Sequence, residues 1–538
     1  MSGMNRILVS TTALAVAVLF GCANTSAPAQ SLSPPSIAPV NLTPIPEAQA
    51  SAVVYVDGQA PNASDSNPGT ELQPYLTISK AAGTAQANNR NGTGTTIWIN
   101  PGVYREEIDL LPIKGQTSAP IIFQAAQFGA VTVSGSDVWT GWVRDSGQIY
   151  KHPWPYRWNL APYPDGWQGN VTLQPIVRRR EMIFVDGLLL TQVLGQSELA
   201  DNTFYVSEGQ GSVYVQVPAG QDLSASVVEV AIRPQSLIAH NQTNLVLRGI
   251  QFQHGNAPVQ DGAVQIVDST AVLIEDCDFS QNNWIGLALS GSNGLTIRRS
   301  TANQNGATGI DGYKLKNVLL ENTDTSYNNW RGALGRFYGW SVAGAKFGAM
   351  HGAVIRGHRS VRNQARGLWI DYDNTNISIE AGWWAWNWND GVFLEASQGP
   401  ILLKDSVIWA NQNGGSGVLG ANSQFVALQN NTICSNQNAQ ISISGDLDRQ
   451  VTDFETGVTS DLRIANWTLD GNLIGSADAS QMLFTTPNWS SFLSTFSSAN
   501  NTWSKPGDPH AFSIGGSALT FPDWQKRTAD YLSVYVGF

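Results

Sequence analysis

Short apolar runs, each closed by a charged residue, recur along the middle of the chain. They are Val-Leu-Ile-Glu at Ile274, Leu-Thr-Ile-Arg at Ile297, Val-Leu-Leu-Glu at Leu320, Ala-Val-Ile-Arg at Ile355, Ile-Ser-Ile-Glu at Ile379 and Ile-Leu-Leu-Lys at Leu403. The anchors are separated by 23, 23, 35, 24 and 24 residues. A second series is led by Gly286, Gly309, Gly332, Gly367, Gly391 and Gly415, with the same steps, and stays 12 residues from the first. Runs this short, parted by turns such as Asn305-Gly306, predict strands. A coil of this length cannot bury its apolar side alone, but stacked coils can. The predicted fold class is all-β: a right-handed parallel β-helix with coils of 23–24 residues and a small inserted antiparallel β-domain. A leucine-rich repeat has a similar period, but its leucine-asparagine signature is absent.

The residue after each anchor of the first series runs Glu275, Arg298, Glu321, Arg356, Glu380, Lys404. Stacking would set opposite charges side by side at about 4.8 Å. The long step predicts a loop between Gly332 and Ile355, around Arg336, Trp340 and Lys346, just before the coil that carries Asp371.

Elsewhere the pattern changes. Residues 1–22 have the short basic start, apolar run and terminal Leu-Phe-Gly-Cys of an export signal. They are similar to a bacterial lipoprotein signal in which Cys22 is lipidated; Phe20 is unusual there, and a plain secretory signal is the alternative. Residues 23–50, with six prolines, read as a disordered tether. First coils are expected over 51–136, with Thr77-Ile-Ser-Lys starting a capping helix. The repeat breaks at 137–235, where tryptophans and alternating runs such as Ser212-Val-Tyr-Val-Gln-Val predict the inserted β-domain. The main helix is expected over 236–445, and an irregular C-terminal cap with one further coil over 446–538.

Composition narrows the function. The 538 residues are 42% hydrophobic and carry a net charge of −11. With no basic patch, this argues against nucleic-acid binding. Fifty-two glycines and nineteen tryptophans suit a turn-rich β protein that handles sugars. Cys277 and Cys434 lie on different coils and read as buried thiols. No histidine, His351 and His358 included, has metal-ligand spacing. No cofactor or metal is expected.

The candidate chemistry lies in Gly367-Leu-Trp-Ile-Asp-Tyr-Asp and, 24 residues on, Gly391-Val-Phe-Leu-Glu-Ala-Ser. Asp371 and Glu395 each follow their glycine by four residues. Alternation points Leu368, Ile370, Val392 and Leu394 inward and Trp369, Asp371, Asp373, Phe393 and Glu395 outward. Two outward carboxylates on neighbouring strands would stand about 5 Å apart, the separation of a retaining glycosidase pair. Trp369, Trp340 and Trp386 are candidate sugar platforms. Arg336, placed one coil before Asp371, and Lys346 are candidates for binding hydroxyls, and Asp373 competes for the nucleophile role. The plainer alternatives are solvated carboxylates, tryptophans packed under a turn and ordinary salt bridges.

These two segments, followed by Gly399-Pro400, resemble the β-helical glycoside hydrolases that include retaining β-xylosidases. In that family an aspartate in a Trp-Leu-Asp-Trp segment is the nucleophile and a glutamate in the next Phe-Val-Glu segment is the acid/base. The resemblance assigns these roles to Asp371 and Glu395. It extends over most of 52–445, including the insert that begins with Arg178-Arg-Arg-Glu-Met-Ile-Phe-Val-Asp-Gly. This chain departs in Tyr372, in the additional Asp373 and in having no histidine between Glu395 and Pro400. The implied protein is an exported glycoside hydrolase with a carbohydrate substrate, touching a membrane only through a lipidated N-terminus. A β-helix polysaccharide lyase or epimerase and a non-catalytic carbohydrate-binding surface protein are the rivals.

Overall fold

The computed structural model describes residues 38–537 except 41, 43, 46, 47, 446, 447, 488, 489 and 508. The expected signal segment with Cys22 lies outside the described residues. From the strand Ala52–Val56 onward the chain winds in coils, each adding a strand parallel to its counterpart in the coil before. One ladder runs Leu247, Ile274, Ile297, Leu320, Ile355, Ile379, Leu403, Leu428, so the first apolar series holds residue for residue. A second runs Leu287, Ile310, Ala345, Leu368, Val392, Val418, Ile441. A third, of three-residue strands, includes Arg359–Val361, Trp383–Ala385 and Val407–Trp409. The inward residues of all three form one buried core along the axis. This is a parallel β-helix.

Its turns cannot hydrate their amides, so the sequence supplies partners from within. The backbone N–H groups of Asn282, Asn305, Asn328, Asn363, Asn387 and Asn411 each donate to the side-chain oxygen of the asparagine one coil on, at 2.8–3.1 Å. Buried backbone donors are costly to leave unpaired, and this stack satisfies them while fixing the register.

The glycine series is corrected at two points. Gly344 replaces Gly332 as the partner of Gly309, whose N–H donates to its carbonyl at 2.9 Å. Gly332 instead lies in a short helix, Trp330–Leu334. A Cβ at Gly344 would meet Ser360 Oγ at 2.0 Å, so the close approach of coils selects glycine there. Gly417 replaces Gly415, because Val392 pairs with Val418. The long coil's extra residues therefore precede the strand Ala343–Arg356, forming the loop from Trp330 to Val342.

Between the strands Val131–Ser134 and Leu237–His240 the chain leaves the helix. It builds an antiparallel sheet of Val143–Ser146, Ile149–Pro153, Ser212–Gln216 and Thr203–Ser207, and a second around Ile183–Val185 and Val228–Ala231. These share a core of Trp142, Trp154, Ile183, Phe204 and Val213. At the start, Ile78–Arg90 is a helix with Thr77 as its N-cap. At the far end the coils continue beyond the expected limit of 445. Ala465–Asp470 pairs with Gln424–Gln429 and Met482–Thr486 with Ala439–Ser444. The helix Phe521–Thr528 then presses Trp524 onto Phe512 and Phe484. A step of 41 residues from Leu428 to Leu469 had hidden the period.

The described part of the Pro-rich stretch is not a free tether. Ala48 and Ala50 cover Ile122, Val246 and Leu273 on the outer face, and Ile45 N–H donates to Thr296 Oγ1 at 3.1 Å. An outward apolar row needs cover, and an extended chain supplies it. Cys277 is buried, which pushes its thiol up to about 12, whereas Cys434 is half-buried.

Candidate active site

Asp371 ends the strand Arg366–Asp371, and Glu395 ends its neighbour Val392–Glu395. Trp369 pairs with Phe393 and Ile370 with Leu394, so alternation carries both carboxylates to the same outer face. Leu368, Ile370, Val392 and Leu394 are wholly buried inside. Trp369 and Phe393 make a second, outer apolar cluster with Ala343. The guanidinium of Arg366 lies over both rings, 4.6 and 4.8 Å from their centroids, and pairs with Asp390 at 3.1 Å.

The corrected register changes which cation faces Asp371. Lys346 lies between Asp311 and Trp369 in adjacent strands, and its Nζ is 2.8 Å from Asp371 Oδ2. Burial pulls this ammonium down, but Asp371, Asp311 and Glu395 outweigh it and hold the pKa above the ordinary lysine value. Lys346 is therefore charged at neutral pH. Asp311 is a third carboxylate of the cleft, two coils before the strand of Glu395's neighbour Trp369. Burial pushes it up to about 6, with Lys346 lowering and Asp371 raising it. Its signal was legible: Asp311 follows Gly309 by two, as Trp369 follows Gly367.

Glu395 accepts from Trp369 Nε1 at 3.0 Å and forms an ion pair with Arg449. Arg449 begins a hairpin, Arg449–Thr452 with Thr459–Leu462, that projects from the coils. Tyr372 holds this hairpin by accepting from Thr452 N–H at 2.7 Å, and it packs beside Val451 and Leu462. The hairpin is not part of any repeat, so periodicity gave no sign of it.

These groups line a cleft of about 670 Å³ together with Trp167, Tyr313 and Trp340. Trp167 comes from the inserted domain and meets Trp340 edge-on at 6.3 Å. The Trp330–Val342 loop is fixed to that domain by Arg331, which is fully buried and donates to Glu181 O, Gln192 Oε1 and Asn283 Oδ1 at 2.6–2.9 Å. Burial pushes this guanidinium down to about 9.

Asp371, Glu395, Trp369, Trp340 and Lys346 thus meet in one cleft, and three expected residues do not join them. Asp373 is fully buried: the chain turns after Asp371 into positive φ at 62°. Its carboxylate accepts from Gln398 Nε2 at 2.6 Å and Phe454 N–H at 2.8 Å. Arg336 is exposed on the loop, outside the cleft lining and outside every ladder; Gly348 holds its expected place opposite Asp371. Trp386 packs between Trp383 and Trp409 beside the third ladder.

Sequence and structure comparisons agree with this architecture. A family model described as "Right handed beta helix region" matches residues 235–335, and one described as "Periplasmic copper-binding protein (NosD)" matches 339–455. XylC, solved in complex with xylose, superposes with a TM-score of 0.68 at 16% identity, over 90% of this chain and 86% of its own. This chain is a right-handed parallel β-helix protein. The β-helix also aligns with the AlgE4 A-module, a mannuronan C-5 epimerase from Azotobacter vinelandii, with a TM-score of 0.47 and 14% identity over 90% of this chain and 100% of that one. An uncharacterized protein, YwoF of Bacillus subtilis, is 35% identical over 79 residues, which is 15% of each chain. At these identities the structural likeness concerns the fold.

Proposed function

We propose that this β-helix is an exported glycoside hydrolase acting with retention on a polysaccharide or its oligosaccharides. The observation that carries the reading is the pairing of Asp371 and Glu395 on adjacent coils in a tryptophan-walled cleft. Asp371, charge-paired with Lys346, is the nucleophile that attacks the anomeric carbon. Glu395 protonates the leaving oxygen and then activates water. Trp340 and Trp167 offer apolar faces to sugar rings. The solved neighbour's bound xylose supports a pentose-containing substrate. The N-terminal signal pattern supports export, as does the word periplasmic in the description of a matching family.

One contact favours a second reading of the proton donor. Arg449 binds one oxygen of Glu395 and the Trp369 indole N–H donates to the other, so both carboxylate oxygens already accept, the arrangement of a base. Asp311 lines the same cleft, and burial raises its pKa to about 6. In this reading Asp311 gives the proton and Glu395 activates water.

Aryl glycosides with good and poor leaving groups separate these roles, assayed alongside xylan, arabinoxylan, pectin and fucoidan. Glu395→Gln is expected to lose activity on the polysaccharide by about 10²–10⁴-fold while still forming the glycosyl-enzyme from an activated aryl glycoside. Full activity in Glu395→Gln overturns the assignment. Loss of the same pattern in Asp311→Asn alone moves the proton to Asp311. An ultraviolet-absorbing unsaturated product makes the protein a lyase, and glycan binding without product makes it a binding protein.

A further inference from the structure

Beside the cleft, His351, Asp373 and Asp453 bring one ligand atom each to within 4.8 Å of one another. They come from three separate elements. His351 lies on the strand Ala343–Arg356, Asp373 just after Arg366–Asp371, and Asp453 at the tip of the Arg449–Leu462 hairpin. The His351 side chain is 10% exposed, with Phe454 against its ring at 4.4 Å. Its Nε2 is buried and has no hydrogen-bond partner among the described residues, although Asp373 Oδ1 is 3.4 Å away.

The geometry points to a divalent, zinc-like cation held by His351 Nε2, Asp373 and Asp453. Ligands bound at about 2.1 Å in a tetrahedron stand about 3.4 Å apart, which is the His351–Asp373 spacing. The remaining ring nitrogen supports this polarity: Nδ1 lies 3.3 Å from Glu455 Oε2, whose other oxygen meets Lys316 at 2.7 Å. A carboxylate behind a metal-bound histidine fixes its tautomer and strengthens it as a ligand. Asp453 uses Oδ1 on the amides of Glu455 and Thr456, at 2.9 and 2.8 Å, which leaves Oδ2 for the cation. A second cleft of about 470 Å³ opens beside His351 and Asp453, so solvent can complete the shell. One imidazole with two carboxylates suits zinc better than calcium, which takes six to eight oxygens. Such an ion ties the hairpin to the coils and thereby positions Arg449 against Glu395.

The test is zinc titration of untagged, chelator-stripped protein, read by elemental analysis, calorimetry and melting temperature. One equivalent of Zn²⁺ per chain is expected, with a Kd in the micromolar range or tighter and a raised Tm. Asp453→Asn keeps the amide caps of the hairpin tip and is expected to weaken binding at least a hundredfold. Glu455→Gln, which leaves all three ligands in place, is expected to weaken it about 10–100-fold. No saturable zinc binding, or wild-type binding in both variants, overturns the site. In that case the same groups simply hold a protonated imidazolium between Asp373 and Glu455. Stronger binding of Ca²⁺ than of Zn²⁺ overturns the choice of ion. None of these readouts depends on the reaction in the cleft.

Discussion

Two arrays of alternating charge cross the same coils. One is the outer column Arg248, Glu275, Arg298, Glu321, Arg356, Glu380, Lys404, in strict register. The other is the cleft group of Asp311, Lys346, Asp371, Glu395 and Arg449. In the column Glu275 binds Arg248 at 2.5 Å and Arg298 at 2.7 Å, Glu380 meets Arg356 and Lys404 on either side, and Glu321 meets Arg356. The pairing is regular, and no wall rises around it. In the cleft, one lysine faces two acids, the second base arrives on a hairpin, and three aromatic residues stand over the group. The same residue types on the same scaffold become a register device or candidate chemistry according to what surrounds them.

The sharpest way to break this comparison is to neutralise one acid in each array. Asp371→Asn is expected to lower turnover by about 10³-fold or more, far beyond any loss of stability, since Lys346 keeps Asp311 and Glu395 nearby; turnover is measured on whichever glycan the wild type cleaves. Glu275→Gln should do the reverse. Its side chain is 5% exposed and binds Arg248, Arg298 and Arg299; Arg299 keeps Asp276 and Arg248 keeps Gln124, so the cost is roughly 1.5–3 kcal/mol, read as a lower denaturation midpoint, with kcat unchanged. Burial raises the pKa of Glu275, but its arginine bonds outweigh burial and hold it below the ordinary 4.5. The wild-type advantage is therefore fully present above pH 4.5 and fades as pH falls through the lower folded value. Denaturation at pH 7 and at pH 3 checks this; an undiminished gap at pH 3 contradicts it. The smallest effect is expected from a wall. Trp340 is 48% exposed, and Trp340→Ala should raise KM about tenfold, the loss of one partial sugar-stacking contact worth about 1.4 kcal/mol, with little change in kcat or stability.

The sequence carried the coils well, because each inward Ile or Leu answers to the same dry interior one period away. It carried the two strand-end carboxylates for the same reason. The glycines misled at the long coil, where the Trp330–Leu334 helix happens to put Gly332 at the expected distance from Gly309. That single slip sent Arg336 to the place that Gly348 occupies beside Asp371. Asp373 defeated alternation because the strand ends at Asp371 and the chain turns beneath the hairpin. Arg449 and the histidine–aspartate cluster were out of reach, since they depend on contacts with a hairpin 54 to 104 residues further along the chain that no local pattern encodes.

Arg331 has a consequence for anyone who would treat the inserted domain as a detachable cassette. A permanently dry guanidinium from one unit is satisfied by a carbonyl and an amide of the other. Excising residues 137–235, or grafting a foreign domain in their place, would remove two of that cation's three partners and leave only Asn283. Variation in this protein is expected to accumulate at the tips of the insert, far from the seam, while the seam itself resists recombination.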